Sequence, residues 1–102
     1  MTARVAAAAI AGHLRVRIPG LLRSYTGGVE TVDLDLAGPP TVAHALAILD
    51  ARFPGLRFRL IDEQGAIRPH IKLFVDAAIV RDLDAAIPPE VELMIVGALS
   101  GG

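Results

Sequence analysis

The residues with the clearest chemical potential lie at the C-terminal end, where the apolar run over residues 91–96 is followed by Gly97-Ala98-Leu99-Ser100-Gly101-Gly102. Because glycine has no Cβ, a Gly-Gly end can enter a narrow channel in another protein's active site. The carboxylate of Gly102 would then be the reacting group, and the chain would be a substrate. Ser-Gly-Gly is also typical of an ordinary frayed terminus, so the rest of the sequence has to separate the two interpretations.

The other residue types that could do chemistry form no convincing site. The three histidines, His13, His44 and His70, fall on a predicted strand, a helix and a loop without metal-ligand spacing. Two pairs of aspartates are each two residues apart, as expected of a solvated face or a turn rather than of an acid-base cleft. The chain has no cysteine, which excludes a thiol nucleophile, a disulfide and a thiolate metal site.

Length and charge restrict the function classes further. The 102 residues suffice for one domain, and ten basic against eleven acidic side chains give a formal net charge of −1. Because no basic run is present, we expect no nucleic-acid partner. No apolar stretch approaches the roughly 20 residues that span a bilayer, so we expect no membrane partner. The Ala-rich start is a poor signal peptide, and the expected location is cytoplasmic by default.

Alternation of polar and apolar residues predicts a first strand over 13–18 and a second over 29–36, forming an antiparallel pair. Thr41 is placed as the N-cap of a helix that ends near Phe53, before Pro54-Gly55. Residues 56–61 are interpreted as a loop or short turn. A third strand over 71–75, an edge segment at 79–81 and a final strand over 91–96 complete the pattern.

This order predicts an α+β fold of the ubiquitin-like β-grasp class, with a mixed sheet of four to five strands and one main packing helix. The last strand should lie centrally, between the first and the third, with its end free to project. The expected organisation is an extension over 1–12, a β-grasp domain over 13–96 and a flexible tail over 97–102.

A docking face follows from the same alternation. If the apolar positions of the strands face the helix, a second set of side chains must point away from it. This set contains Phe74, Met94 and Val96, flanked by Arg15, Arg17 and Lys72. An apolar patch with a basic rim would then lie beside the exit of the tail, as expected of a partner interface. The alternatives are ordinary surface residues, or a patch that the N-terminal extension covers.

The chain resembles the MoaD/ThiS family of sulfur carriers, the prokaryotic relatives of ubiquitin, and in particular the larger CysO-like and MoaD-like members. The resemblance lies in the order of the strands and helix, in Leu22-Arg23-Ser24-Tyr25-Thr26-Gly27-Gly28, and in the terminal Gly101-Gly102. The chain departs from the family in its Ala-rich start, at Asp76-Ala77-Ala78 and at Ala98-Leu99-Ser100.

The resemblance implies a carrier that is not itself an enzyme. A ubiquitin-activating-type adenylyltransferase would use ATP and Mg²⁺ to adenylate Gly102, with Leu99, Ser100 and Gly101 threaded through its channel. Sulfur from a persulfide would then give a C-terminal thiocarboxylate. The acceptor would be a molybdopterin synthase large subunit, a thiazole synthase or a cysteine-forming sulfhydrylase. Two alternatives stay open: a ubiquitin-like modifier joined to lysines through Gly102, and a β-grasp interaction module with an inert terminus.

Overall fold

The computed structural model describes residues 12–36, 40–88 and 90–97. The predicted extension, except Gly12, and the tail beyond Gly97 lie outside these residues. The described elements are five strands, two α-helices and a 3₁₀ helix. In chain order they are β1 (Gly12–Arg17), the 3₁₀ helix (Gly20–Tyr25), β2 (Thr31–Leu36), α1 (Val42–Arg52), α2 (Leu56–Leu60), β3 (Ile71–Val75), β4 (Ala78–Val80) and β5 (Glu92–Gly97).

The five strands form one mixed sheet in the order β2-β1-β5-β3-β4. β1 and β2 pair antiparallel, with registers running from Gly12 opposite Leu36 to Arg17 opposite Thr31. β5 lies parallel to β1 and antiparallel to β3. The last strand is therefore central between the first and third, and the predicted β-grasp topology is confirmed.

The core lies between one face of the sheet and α1. Alternate strand residues such as Leu14, Val16 and Leu93 are at most 3% exposed, as the period of two requires. The buried residues of α1 recur at helical spacing: Val42, Ala45, Leu46 and Leu49. The helix begins where predicted, because the Thr41 hydroxyl accepts the backbone N–H of His44 at 3.1 Å. No helix within the described ranges is long and apolar enough to cross a membrane.

The interpretation of residues 56–61 as a loop or short turn is wrong, because Leu56–Leu60 form the short helix α2. Leu56 and Leu60 are one turn apart and fully buried. The Asp50 carboxylate accepts the backbone N–H groups of Gly55 at 3.1 Å and Arg57 at 3.0 Å, which supports the start of the helix. Five residues are too few for a helical period to stand out from the alternation of Leu-Arg-Phe-Arg-Leu.

The Thr-Gly-Gly stretch is a compact turn that joins the 3₁₀ helix to β2. The buried Thr26 hydroxyl lies within donating distance of the carbonyl oxygens of Val29, at 2.9 Å, and Arg23, at 3.2 Å. Gly27 and Gly28 have φ of 68° and 92°, which favours glycine. The Arg23 side chain of the 3₁₀ helix donates to the carbonyl oxygen of Ile18 at 3.2 Å, which fixes this helix against the residue that follows β1.

β5 begins and ends one residue later than the strand predicted over 91–96, so Gly97, which lies opposite Ile71 of β3, belongs to the strand. An added Cβ on Gly97 would lie 2.5 Å from Leu21 Cδ2, so the absence of a side chain lets the 3₁₀ helix approach the strand end. Residues 76 and 77 form the turn after β3, and β4 is the edge strand, one residue earlier than the predicted edge segment at 79–81.

The β3–β4 turn yields a stability prediction. Asp76 and Ala77 have φ of 51° and 70°, as in a type I′ turn, and this region costs an L-residue about 1–2 kcal/mol. Ala77→Gly removes that cost but adds unfolded-state entropy, so we expect a net gain of about 0.5–1 kcal/mol in the free energy of unfolding by urea denaturation. Ala47→Gly, at an exposed position inside α1, should instead lose about 1 kcal/mol. A loss in both variants would contradict the turn geometry.

Candidate functional site

The face of the sheet opposite α1 carries a continuous row of side chains across four strands. Ile79 of β4 lies opposite Phe74 of β3, Phe74 lies opposite Met94 of β5, and Met94 lies opposite Arg17 of β1. We call these four residues the open-face row. Ile79 is 40% and Met94 37% exposed, while Phe74 is half-buried between them. An exposed apolar strip of this kind is typical of a protein interface.

Val96 belongs to the neighbouring row, where it lies opposite Lys72 and is half-buried. The structure therefore brings together Phe74, Met94 and Val96, which the sequence placed on one face. Sequence reasoning did not assign Ile79 to this face. Its position depends on the register between β4 and β3, which the tight turn at Asp76 and Ala77 determines.

The rim of this face is not simply basic, because both predicted rim arginines have acidic neighbours. Arg15 Nε lies 3.2 Å from Asp33 Oδ1, and Arg17 Nη1 lies 3.9 Å from Glu92 Oε1. Asp33 lies directly opposite Arg15, whereas Glu92 lies opposite Arg15 on the other neighbouring strand and is therefore diagonal to Arg17. Pairing of the strands thus creates both contacts. All four side chains are at least one-third exposed, and such pairs contribute at most about 1 kcal/mol. Acidic side chains of a partner protein can therefore replace Asp33 and Glu92 as ion-pair partners of the arginines at a low cost in free energy.

The open-face row and the C-terminal tail are connected through β5. Met94 and Gly97 are three residues apart on this strand, which corresponds to about 10 Å. A protein bound to the open-face row would thus lie beside the point where the chain leaves the sheet. The predicted tail residues Leu99, Ser100, Gly101 and Gly102 lie outside the described residues, and their roles stay predictions.

Gly97 has a defined packing environment on the other face of the sheet. Its register partner Ile71 is buried, so the bare Cα side of Gly97 faces the helices. Leu21 of the 3₁₀ helix occupies the space that a side chain would need. His70 directly precedes Ile71 and so lies next to the same strand end. The strand end at Gly97 is therefore packed by Leu21 and lies next to the segment that precedes β3.

The loop between α2 and β3 is ordered by the carboxylate of Asp62. Its Oδ1 accepts the backbone N–H groups of Gln64 and Ala66, each at 2.9 Å. The Ala66 N–H lowers the pKa of Asp62 from its usual value, with smaller contributions from Gln64, Arg68 and Gly65, against a desolvation effect in the opposite direction. This loop carries Arg68 and His70 toward the root of the tail.

A metal centre finds no support in the described part of the chain. Within it, no group of three or more histidine, aspartate or glutamate side chains is arranged to hold an ion. His44 is exposed on α1, and His70 is half-buried before β3. The side chain of His13 lies outside the described residues.

Three solved structures share this fold over nearly their whole length. One chain of the BexX/CysO complex of Amycolatopsis orientalis is 30% identical with a TM-score of 0.75, and the match covers 87% of this chain and 99% of that chain. SAMP1 from Haloferax volcanii is 27% identical with a TM-score of 0.75 and coverage of 89% and 100%. CysO from Mycobacterium tuberculosis is 28% identical with a TM-score of 0.73 and coverage of 84% and 99%. No protein-family model and no curated protein matches the chain.

The Asp62 turn gives a prediction for pH dependence. Because the folded-state pKa lies below 3.8, the ionised carboxylate contributes stability that is fully present above 3.8 and is lost as pH falls through the lowered value. Asp62→Ala should therefore be less stable than the parent at pH 7, and the difference should shrink below about pH 4. Urea unfolding of both proteins across this range measures it. A difference independent of pH would show that the charge is not involved.

Proposed function

We propose, from the premise that this chain belongs to the MoaD/ThiS family of ubiquitin-like sulfur-carrier proteins, that it carries sulfur as a thiocarboxylate on Gly102. The observation that supports this most directly is the position of β5. The strand is central in the sheet, it bears Met94 of the open-face row, and it ends at Gly97, five residues before the terminal glycine. In this proposal, recognition and reaction share one continuous segment.

The proposed chemistry begins with activation of the Gly102 carboxylate, which is a poor electrophile because of its charge. In the activating enzyme, ATP and Mg²⁺ convert it to an acyl adenylate with release of pyrophosphate. The outer sulfur of a persulfide then attacks the acyl carbon, and AMP leaves. A thiol cleaves the resulting S–S bond and leaves the thiocarboxylate on the chain. The chain contributes no catalytic group and acts as a protein co-substrate.

The folded domain would supply binding energy at a distance from the reacting atoms, which allows the enzyme to hold a small glycine tail in the correct position. We assign this role to Phe74, Met94, Val96 and Ile79, together with the exchangeable ion pairs of Arg15 and Arg17. The thioether of Met94 is flexible enough to fit two successive partners, the adenylyltransferase and the sulfur acceptor.

The acceptor is a molybdopterin synthase large subunit, a sulfhydrylase or a thiazole synthase, and these three remain alternatives. One neighbour was solved as the BexX/CysO complex, which supports a protein partner for a chain of this fold. Because the reaction consumes ATP, we place it in the cytoplasm.

A protein modifier is the second candidate, supported by the similarity to the small archaeal modifier protein 1 of Haloferax volcanii. In that case, the activated Gly102 carbonyl would form an amide with a lysine of another protein instead of accepting sulfur. The two functions share the adenylation step and diverge after it, so they predict different products from the same activated chain.

The mass of the chain tests the sulfur-carrier proposal. The native-terminus protein, incubated with ATP and an extract of its own cells, should gain the mass difference between sulfur and oxygen, and a variant lacking Gly102 should not. An unchanged mass, in an extract that converts a known carrier, would contradict the proposal. Adducts of higher mass in place of this shift would favour the modifier.

A substitution at Gly101 tests whether the channel of the activating enzyme is narrow. Gly101→Val should reduce ATP–pyrophosphate exchange about 100-fold, because a side chain there misplaces the carboxylate. Gly20→Val is the matched control: Gly20 has no atom within 4 Å of an added Cβ and no positive φ. Equal exchange rates in the Gly101 variant and the parent would exclude a tight channel.

The interface assignment can be tested at the centre of the open-face row. Phe74→Asp should weaken binding to the adenylyltransferase at least about tenfold, or ~1.4 kcal/mol, by calorimetry, because it places a charge in the apolar strip. Val29→Asp alters another exposed apolar residue, in the loop before β2, and should bind normally. Circular dichroism should show both variants folded. Loss of the fold in the Phe74 variant would instead show that Phe74 belongs to the core.

A further inference from the structure

A groove lies at the root of the tail, on the helix side of the sheet and thus opposite the open-face row. Its lining residues come from the 3₁₀ helix, from α2 and from the loop that follows α2. They are Leu21, Leu22, Phe58, Arg59, Glu63, Arg68 and His70. We call this the tail-root groove. It adjoins Gly97, the last described residue of β5, because Leu21 packs at Gly97 and His70 precedes the register partner of Gly97.

Two apolar side chains of the groove are exposed to solvent. Leu21 is 39% and Phe58 53% exposed, and Phe58 is the most exposed large apolar side chain in the described part of the chain. Burial of Leu56 and Leu60 fixes the orientation of α2, and Phe58 lies midway between them on the other side of the helix. The packing of α2 therefore forces Phe58 outward, which leaves an apolar side chain in the groove without a role in the core.

The cations of the groove are held in place without an ion pair. The Arg68 guanidinium lies over the Phe58 ring, 4.6 Å from its centroid, and Nε donates to the Phe58 carbonyl oxygen at 2.8 Å. The Arg59 guanidinium lies 5.7 Å from the centroid of the Tyr25 ring. The arginines that form ion pairs within 4.0 Å in the described part of the chain are Arg15, Arg17 and Arg23. The nearest acidic influences on the groove are Asp62, whose pKa Arg68 helps to lower, and Glu63, which lines the groove. The remaining N–H donors of Arg59 and Arg68 are thus available to carboxylates of another molecule.

We propose that the tail-root groove docks an acidic protein segment that carries an apolar side chain, supplied by the enzyme that activates the tail. The apolar side chain would lie on Leu21 and Phe58, and flanking carboxylates would pair with Arg59 and Arg68. This inference rests on the proposed function, because it assumes that the tail enters an enzyme. Contact at the groove and at the open-face row would hold β5 from both faces and set the direction in which the tail leaves the sheet.

An NMR titration tests the groove without ATP or the enzyme. The probe is the capped peptide acetyl-Glu-Asp-Leu-Phe-Glu-Asp-amide, and its control carries lysine in place of each acid. At about 1 mM, the acidic peptide should shift the amides of Leu21, Phe58 and Arg68 but not those of Phe74 and Met94. Raising the salt from about 0.1 M to about 1 M, which shortens the Debye length from about 10 Å to about 3 Å, should weaken the binding.

Charge reversal gives the matched comparison. Arg59→Glu should weaken peptide binding at least about tenfold, whereas Arg81→Glu, an exposed arginine outside the groove, should not. Equal shifts with both peptides, shifts only on the open-face row, or no shift would overturn the proposal. Groove shifts that depend on protein concentration without peptide would identify a second copy of this chain as the occupant and would also overturn it.

The activation assay separates this inference from the proposed function. If the groove binds the activating enzyme, Arg59→Glu should raise the KM for the carrier about tenfold in ATP–pyrophosphate exchange and leave kcat unchanged. An unchanged KM for Arg59→Glu, in an assay where the parent chain is activated, would overturn the proposed role of the groove and leave the proposed function standing. Failure of the parent chain to be activated, in an assay that activates a known carrier, would instead overturn the proposed function.

Discussion

The structure depends on the pairing of β5 between β1 and β3. β5 pairs with β1 over Glu92–Met94 and with β3 from Leu93 to Gly97, so the sheet holds this last segment as far as Gly97. Its alternation places Leu93 and Ile95 in the core and Met94 on the open face. A single strand therefore anchors the fold, contributes to the candidate interface and determines where the tail begins.

The two surfaces beside the tail differ in how their charges are used. On the open face, Arg15 and Arg17 have acidic neighbours on adjacent strands, and these exposed pairs are weak enough to be exchanged. In the tail-root groove, Arg59 and Arg68 are positioned by aromatic rings rather than by ion pairs within 4.0 Å. The first surface is suited to apolar contact with an adaptable rim, and the second to charged contact around an apolar centre.

The tail-root groove could not be predicted from the sequence because it depends on α2. The five residues of this helix alternate in polarity as a strand would, and their helical conformation is favoured by the burial of Leu56 and Leu60 and by Asp50 at its start. Only that packing turns Phe58 outward and brings it near Leu21 of the 3₁₀ helix. The contacts join residues more than thirty positions apart, which local propensity does not encode.

The sequence by itself determined the strand faces, the start and end of α1, the central position of the last strand and the terminal Gly101-Gly102. These follow from side-chain period, capping chemistry and the rules of strand connection, which act over short stretches or restrict topology generally. Only the tertiary structure decided that Ile79 joins the open face, that acids neighbour the rim arginines and that Leu21 packs against Gly97. Each of these features depends on strand register or on contact between segments that are distant in sequence. Burial of the apolar core determines the register and brings those segments together.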